Sequence, residues 1–151
     1  MERLSTEEPA AASLGRGQRA IVAAIIAELT PAYPALDDET RRVVHADVTR
    51  YVAAQIHGMP GHLRLPYRLA LLAFNWLALL RSLRPFTALT SEKRAAYLSL
   101  WSDGPIAPMR DFVKLIRSSG LLVYYDHPLV MARLNAERAA GLTLASAATS
   151  A

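Results

Sequence analysis

The sequence predicts an all-α fold, a single-domain irregular bundle of about six helices. Three observations carry that expectation. Apolar residues recur at i, i+3 and i+4 through most of the chain. Alternation of period two survives over no useful length, so no sheet is expected. Proline and glycine then cut the apolar runs into helix-sized pieces, at Pro31 and Pro34, at Gly58 and Pro60, and at Gly104, Pro105 and Pro108.

The first periodic segment is RGQRAIVAAIIAELTPAYP, with Ile21, Val22, Ile25, Ile26 and Leu29 on one face. Asp37 and Asp38 offer a cap and helix-start charge to DETRRVVHADVTRYVAAQIHG. Val43, Val44, Val48, Tyr51, Val52 and Ile56 form the inward face of that second helix. The two segments read as an antiparallel hairpin.

The third segment, LPYRLALLAFNWLALLRSLRPF, places Pro66 in a first turn and is apolar on every side from Leu69 to Leu80 except at Asn75. Such a run spans roughly 18 Å, short of the ~30 Å core of a bilayer, and Arg68 and Arg81 bracket it. It is therefore not expected to cross a membrane. Three readings stand: the central helix of the bundle, a helix lying in a membrane interface, or a docking face for a partner.

Thr90 caps a fourth helix, EKRAAYLSLWSDG, whose apolar face is Tyr97, Leu98, Leu100 and Trp101. A fifth, MRDFVKLIRSSGLLVYYDHP, turns Phe112, Val113, Leu115 and Ile116 inward and Lys114 and Arg117 outward, with Gly120 expected to interrupt the helix but not to require its end. The sixth starts near Pro128 and is expected to stop at Gly141. Residues 1–16 and 142–151 read as mobile tails around a helical domain at 17–141.

The composition excludes more than it assigns. A chain of 151 residues is ordinarily one domain, and 52% apolar residues argue against general disorder. No cysteine is present, so disulfides, thiolate nucleophiles and thiolate-bound metals are out. His45, His57, His62 and His127 are scattered without metal-ligand spacing, and no phosphate-binding loop is found. The expectation is a chain with no catalytic, cofactor-binding or metal-binding residues. The net charge is +4, and no acidic residue lies between Asp47 and Glu92, where Arg50, Arg64, Arg68, Arg81 and Arg84 fall. Because the basic residues form no dense stripe, nucleic acid is not expected as a partner. The N-terminal MERLSTEEPAAASLGRGQR shows no secretory pattern, and the expected location is the cytoplasm or the cytoplasmic face of a membrane.

One stretch is more specific. PFTALTSEKRAAYLSLWSDGPIAPMRDFVKLIRSSGLLVYYDHP resembles a helical segment that precedes the flavin domain in long-chain alcohol oxidases, members of the glucose-methanol-choline flavoprotein family. The matching positions are Phe86, Arg94, Leu98, Trp101, Arg110, Phe112, Tyr124 and Tyr125. The apolar LRLPYRLALLAFNWLALL resembles the helix upstream of it. LGRGQRAIVAAIIAELTPAYP is similar to the opening of the small subunits that accompany gluconate 2-dehydrogenase (subunit 3). The twin-arginine leader and the Tyr-rich Gly-Gly-Asn ending frequent in that group are not seen here.

What the resemblance implies is a non-catalytic accessory subunit of a large FAD-dependent oxidoreductase, with the flavin held by the partner. It would stabilise that partner and shape the entrance for a hydrophobic alcohol. Phe86, Trp101, Arg110, Phe112, Tyr124 and Tyr125 are the expected partner contacts. Arg64, Arg68, Trp76, Arg81 and Arg84 are expected on a membrane or partner surface. The competing reading is a peripheral protein that binds anionic lipid through the 63–84 helix.

Overall fold

The computed structural model describes residues 14–149, with side chains through residue 141. Six α-helices follow one another: α1 (Arg16–Leu29), α2 (Asp38–Gly58), α3 (Gly61–Ser82), α4 (Ser91–Asp103), α5 (Ala107–Asp126) and α6 (Pro128–Thr149). A single 3₁₀ turn, Phe86–Ala88, stands between α3 and α4. The all-α reading and the helix number are as expected from the sequence. Of the two predicted tails, residues 1–13 and 150–151 lie outside the described residues.

The centre of the bundle is α1, not α3. Ile21, Val22, Ala24, Ile25 and Ile26 are buried, and α1 packs against α2, α3, α4 and α5. A helix with so broad an apolar surface can only be satisfied from several sides. It lies close against α5, where a Cβ on Gly120 would stand 2.6 Å from Ile26 Cδ1. Gly120 thus does not interrupt α5; it lets the two backbones close in.

On α2 only Val44, Val48, Val52, Ala53 and Ile56 are buried. Val43 and Tyr51, expected on the same face, are exposed, because each sits about 100° around the helix from a buried neighbour. Asp37 caps α2, accepting hydrogen bonds from Thr40 N at 2.9 Å and Thr40 Oγ1 at 2.7 Å, which hold its carboxyl below the usual aspartate range. Thr90 occupies the cap position of α4, but its side chain makes no capping bond. The neighbouring Ser91 Oγ instead donates to Glu28 Oε2 at 2.8 Å, tying the start of α4 to the end of α1.

Two helices are longer than the sequence indicated. α3 begins five residues before Pro66, which therefore lies in its second turn, where one missing N–H costs a single helical bond. α6 runs through Gly141 to Thr149. Glycine ends a helix by turning left-handed, and no described glycine has a positive φ.

An aromatic cluster joins four elements. Phe74 of α3 is wholly buried, with the rings of Phe86, Tyr97, Trp101 and Phe112 at 4.6, 5.0, 4.7 and 5.7 Å between centroids. Tyr97 Oη donates to the Phe74 carbonyl at 2.9 Å, satisfying its polar tip inside the core. Burial also pushes the Tyr97 hydroxyl's pKa up. Asn75, the one polar residue of the apolar run, accepts from Thr87 N at 3.3 Å and so fixes the 3₁₀ turn to α3. Arg94 holds the same turn from α4, donating to the carbonyls of Phe86 and Thr87 at 3.3 and 2.7 Å.

Candidate functional site

α3 is anchored along only one side. Leu71, Phe74 and Ala78 are its buried residues. On the opposite side Leu65, Leu69, Leu72, Trp76, Leu80 and Leu83 form a continuous row, spaced by three or four residues so that they share one helical face. All six are exposed, from 40% at Leu72 to 61% at Trp76, 81% at Leu80 and 87% at Leu83. At a rise of 1.5 Å per residue the row is about 27 Å long. A contiguous apolar strip of this length is unusual on a self-sufficient surface and marks an interaction site.

The row ends in a strained residue. Leu83 closes α3 with φ 56° and ψ 16°, the left-handed region that a branched side chain avoids. Glycine is the ordinary occupant of such a position. Here a large apolar side chain is held there and pointed at solvent.

Two depressions lie between α3 and its neighbours. One, about 310 Å³, is bounded by Pro66, Tyr67 and Ala70 of α3 and by Pro108, Asp111 and Phe112 at the start of α5. The other, about 560 Å³, lies between the end of α3 and α4, with Arg81, Lys93, Tyr97 and the half-exposed Leu100 among its lining residues. Among the described residues no carboxylate stands within ion-pair distance of Arg81, Arg84 or Lys93. Among the described residues, the cations near the carboxy-terminal end of α3 are therefore without ion-pair partners.

The residues expected at a partner contact divide by depth. Phe86, Trp101, Phe112 and Tyr124 are buried, at 4% exposure or less. The first three pack on Phe74 beneath α3; Tyr124 meets Tyr125 edge to face. Arg110 is exposed and donates to the Gly104 carbonyl at 2.7 Å, closing the α4–α5 junction. A Cβ on Gly104 would stand 2.5 Å from the Leu100 carbonyl oxygen, so that junction has no room for another residue type. Tyr125 is exposed on α5 near Leu122.

The second set also divides. Trp76, Arg81 and Arg84 are exposed. Arg64 and Arg68 are half-buried and turned inward, donating to the His57 carbonyl and to Gln18 Oε1, each at 3.3 Å. The leucines of the row and Leu100 were not among the expected contacts. Their signal was present in the three- and four-residue spacing, but an all-round apolar helix does not declare which side meets the core.

α3 is long and apolar enough to cross a membrane by length and composition. Its inner side, however, is packed against α1, α2 and the aromatic cluster. Elsewhere, among the described residues, no group of three His, Asp or Glu side chains is placed to hold a metal ion. His127 illustrates the structural use of such groups. Its Nδ1 accepts from Leu129 N at 3.3 Å, so Nε2 carries the proton and faces Asp47 Oδ2 at 3.3 Å, pinning the α5–α6 corner to α2.

A helical domain with a filled core, no gathered reactive groups in the described part, and one apolar helix face turned outward has the build of an accessory subunit. Residues 16–137 match the family described as Gluconate 2-dehydrogenase subunit 3, and the chain belongs to that family. Membership points to a non-catalytic accessory role in an oxidoreductase complex. An uncharacterised protein of Sinorhizobium fredii (strain NBRC 101917 / NGR234), y4nI, is 30% identical over 116 residues, which is 77% of this chain and 97% of that protein. No solved structure matches.

Proposed function

We propose that this chain is a non-catalytic subunit that binds and stabilises a separate, large FAD-dependent alcohol dehydrogenase or oxidase of the glucose-methanol-choline type. Flavin and catalytic groups belong to that partner. The observation that carries the reading is the outward apolar row of α3, on a chain whose family is named for a dehydrogenase subunit. Covering the row removes six large apolar side chains from water, a gain of about 1.5–3 kcal/mol for each one fully buried. Much of that gain is offset by the cost of association. Phe86, Trp101 and Phe112 serve the contact from beneath, by holding α3 in place, and Arg110 and Tyr125 are peripheral contacts. The depression beside Phe112 and Tyr67, also bounded by α3, would help shape the entrance for a hydrophobic alcohol.

Co-expression with a large flavoprotein of this type tests the reading. The two chains are expected to co-purify, with flavin only in the large one, and Trp76→Ser with Leu80→Ser is expected to break the complex without unfolding this chain. A stable monomer that associates with no such flavoprotein defeats the proposal.

A second reading, peripheral attachment to anionic lipid at the cytoplasmic face, draws on Trp76, Arg81 and Arg84, all exposed on or just beyond α3. Arg64 and Arg68 weaken it, because their guanidinium groups serve the fold and not the outer surface. Salt-sensitive vesicle sedimentation that is lost in an Arg81→Gln, Arg84→Gln variant supports this reading, and unchanged sedimentation removes its electrostatic basis.

A further inference from the structure

We infer that the element seated on α3 is an amphipathic helix of the partner protein, flanked by carboxylates that meet Arg81, Arg84 and Lys93. The inference rests on the accessory-subunit reading and adds the chemistry of the partner's surface. The outer side chains of α3 form a straight ridge whose three- and four-residue spacing matches helix-against-helix packing. A helix laid along it buries the whole length, whereas a loop would cross it at one or two positions. The charge is equally directional. Arg81 and Lys93 line the depression between the end of α3 and α4, and Arg84 follows Leu83; none of the three has a carboxylate in ion-pair range among the described residues, and no acidic residue occurs between Asp47 and Glu92.

That charge pattern also argues against a second copy of this chain as the occupant. A parallel pair would set Arg81 and Arg84 against their own counterparts, and an antiparallel pair would find no acidic residue on the opposing α3. The first arrangement opposes like charges and the second leaves the cations unpaired, so neither completes the surface. A partner helix bearing Glu or Asp beside its apolar seam satisfies the ridge and the cations together. Leu83 fits this picture: at the charged end of the ridge, a strained and fully presented leucine is a fixed anchor for an apolar pocket on such a helix.

The test uses the full chain and two synthetic 21-residue amphipathic helices with one Leu/Ala seam, flanked in one by Glu and in the other by Lys. Fluorescein anisotropy reads affinity. Tryptophan emission reads the site, because Trp101 is already buried and a blue shift belongs to Trp76. The Glu-flanked helix is expected to bind at least tenfold more tightly than the Lys-flanked one. Replacing Arg81, Arg84 and Lys93 together by Glu is expected to invert that order while the circular dichroism spectrum stays unchanged. Equal affinities, a reversed order in the natural sequence, or no binding by either helix overturns the inference. So does a Trp76 shift produced only by phosphatidylglycerol vesicles, or by self-association seen in sedimentation velocity. A complex with the large flavoprotein that survives the triple charge reversal overturns this inference alone, and leaves the accessory-subunit reading standing.

Discussion

The two sides of α3 are both apolar and opposite in fate. Inward, Leu71, Phe74 and Ala78 are sealed among α1, α2 and four other aromatic rings; outward, six large apolar side chains meet water. Hydrophobicity alone does not separate them. What separates them is whether the chain supplies a complementary surface. Phe74 finds rings from the 3₁₀ turn, α4 and α5, whereas Trp76, two residues on, finds none among the described residues.

The sharpest break of this comparison is a matched pair of substitutions. Phe74→Ala opens a cavity at the hub of the cluster and is expected to cost about 3–5 kcal/mol, a large share of the stability of a domain this size. Trp76→Ser removes as much apolar volume, two positions away, and is expected to change stability by no more than about 0.5 kcal/mol. Urea midpoints of the two variants decide it. If Trp76→Ser proves as damaging as Phe74→Ala, the outer row is part of this chain's own fold and not a contact surface.

A smaller effect probes how closely the inner region is fitted. Gly120→Ala places a methyl group against Ile26 Cδ1, and Ile26 is only 2% exposed. The gain in helix propensity, about 1 kcal/mol, is outweighed by overpacking of about 1–3 kcal/mol. A net loss of about 1 kcal/mol is expected. Trimming the neighbour with Ile26→Val restores part of it, so the double variant is more stable than the sum of the single ones. Additive losses would show that α1 and α5 do not meet at this point.

Much of this architecture was legible in the sequence because helix ends and inward stripes are local features. Asp37 before a helical pattern, Ile21 and Ile25 one turn apart, and the break at Gly104 and Pro105 each declare themselves within a few residues. Reading depth was harder. Phe86, Trp101 and Phe112 looked like interface anchors because aromatic residues serve both cores and contacts, and only the convergence of four elements on Phe74 settles them inside. Arg64 and Arg68 likewise read as surface charge, until His57, across the α2–α3 turn, and Gln18, 50 residues away, prove to be their acceptors. The outer row of α3 could not be told from its inner side, since that distinction belongs to the neighbours and not to the helix.

On the outer side, Leu83 offers the reverse of an ordinary core substitution. Leu83→Gly relieves a left-handed leucine, worth roughly 1–2 kcal/mol, against the added freedom that glycine brings to the unfolded chain, roughly 0.5–1 kcal/mol. A small net gain in stability is expected, up to about 1 kcal/mol, together with weaker co-purification of the partner. Stability and association would then move in opposite directions, which residues in the core cannot do. A loss of stability in Leu83→Gly would mean that the side chain packs within this chain.

The smallest expected effect separates the two sides by pH. His45 of α2 is half-buried, and its Nε2 is enclosed without a hydrogen-bond partner. Burial first, and the nearby Arg41 second, push its pKa below the ordinary value of 6.5. As the pH falls below that value, the unfolded chain takes up a proton that the folded chain resists. The stabilising contribution is therefore intact above about pH 6.5 and is lost as the pH falls through the lower folded value. Between pH 7.5 and 5, urea midpoints should decline modestly in the natural sequence and less in His45→Gln. The outer row carries no titratable side chain, so affinity for an uncharged apolar probe should not follow the same curve. An identical slope in His45→Gln would assign the acid sensitivity to another group, and an affinity that tracked it would mean that acid loosens α3 along with the interior.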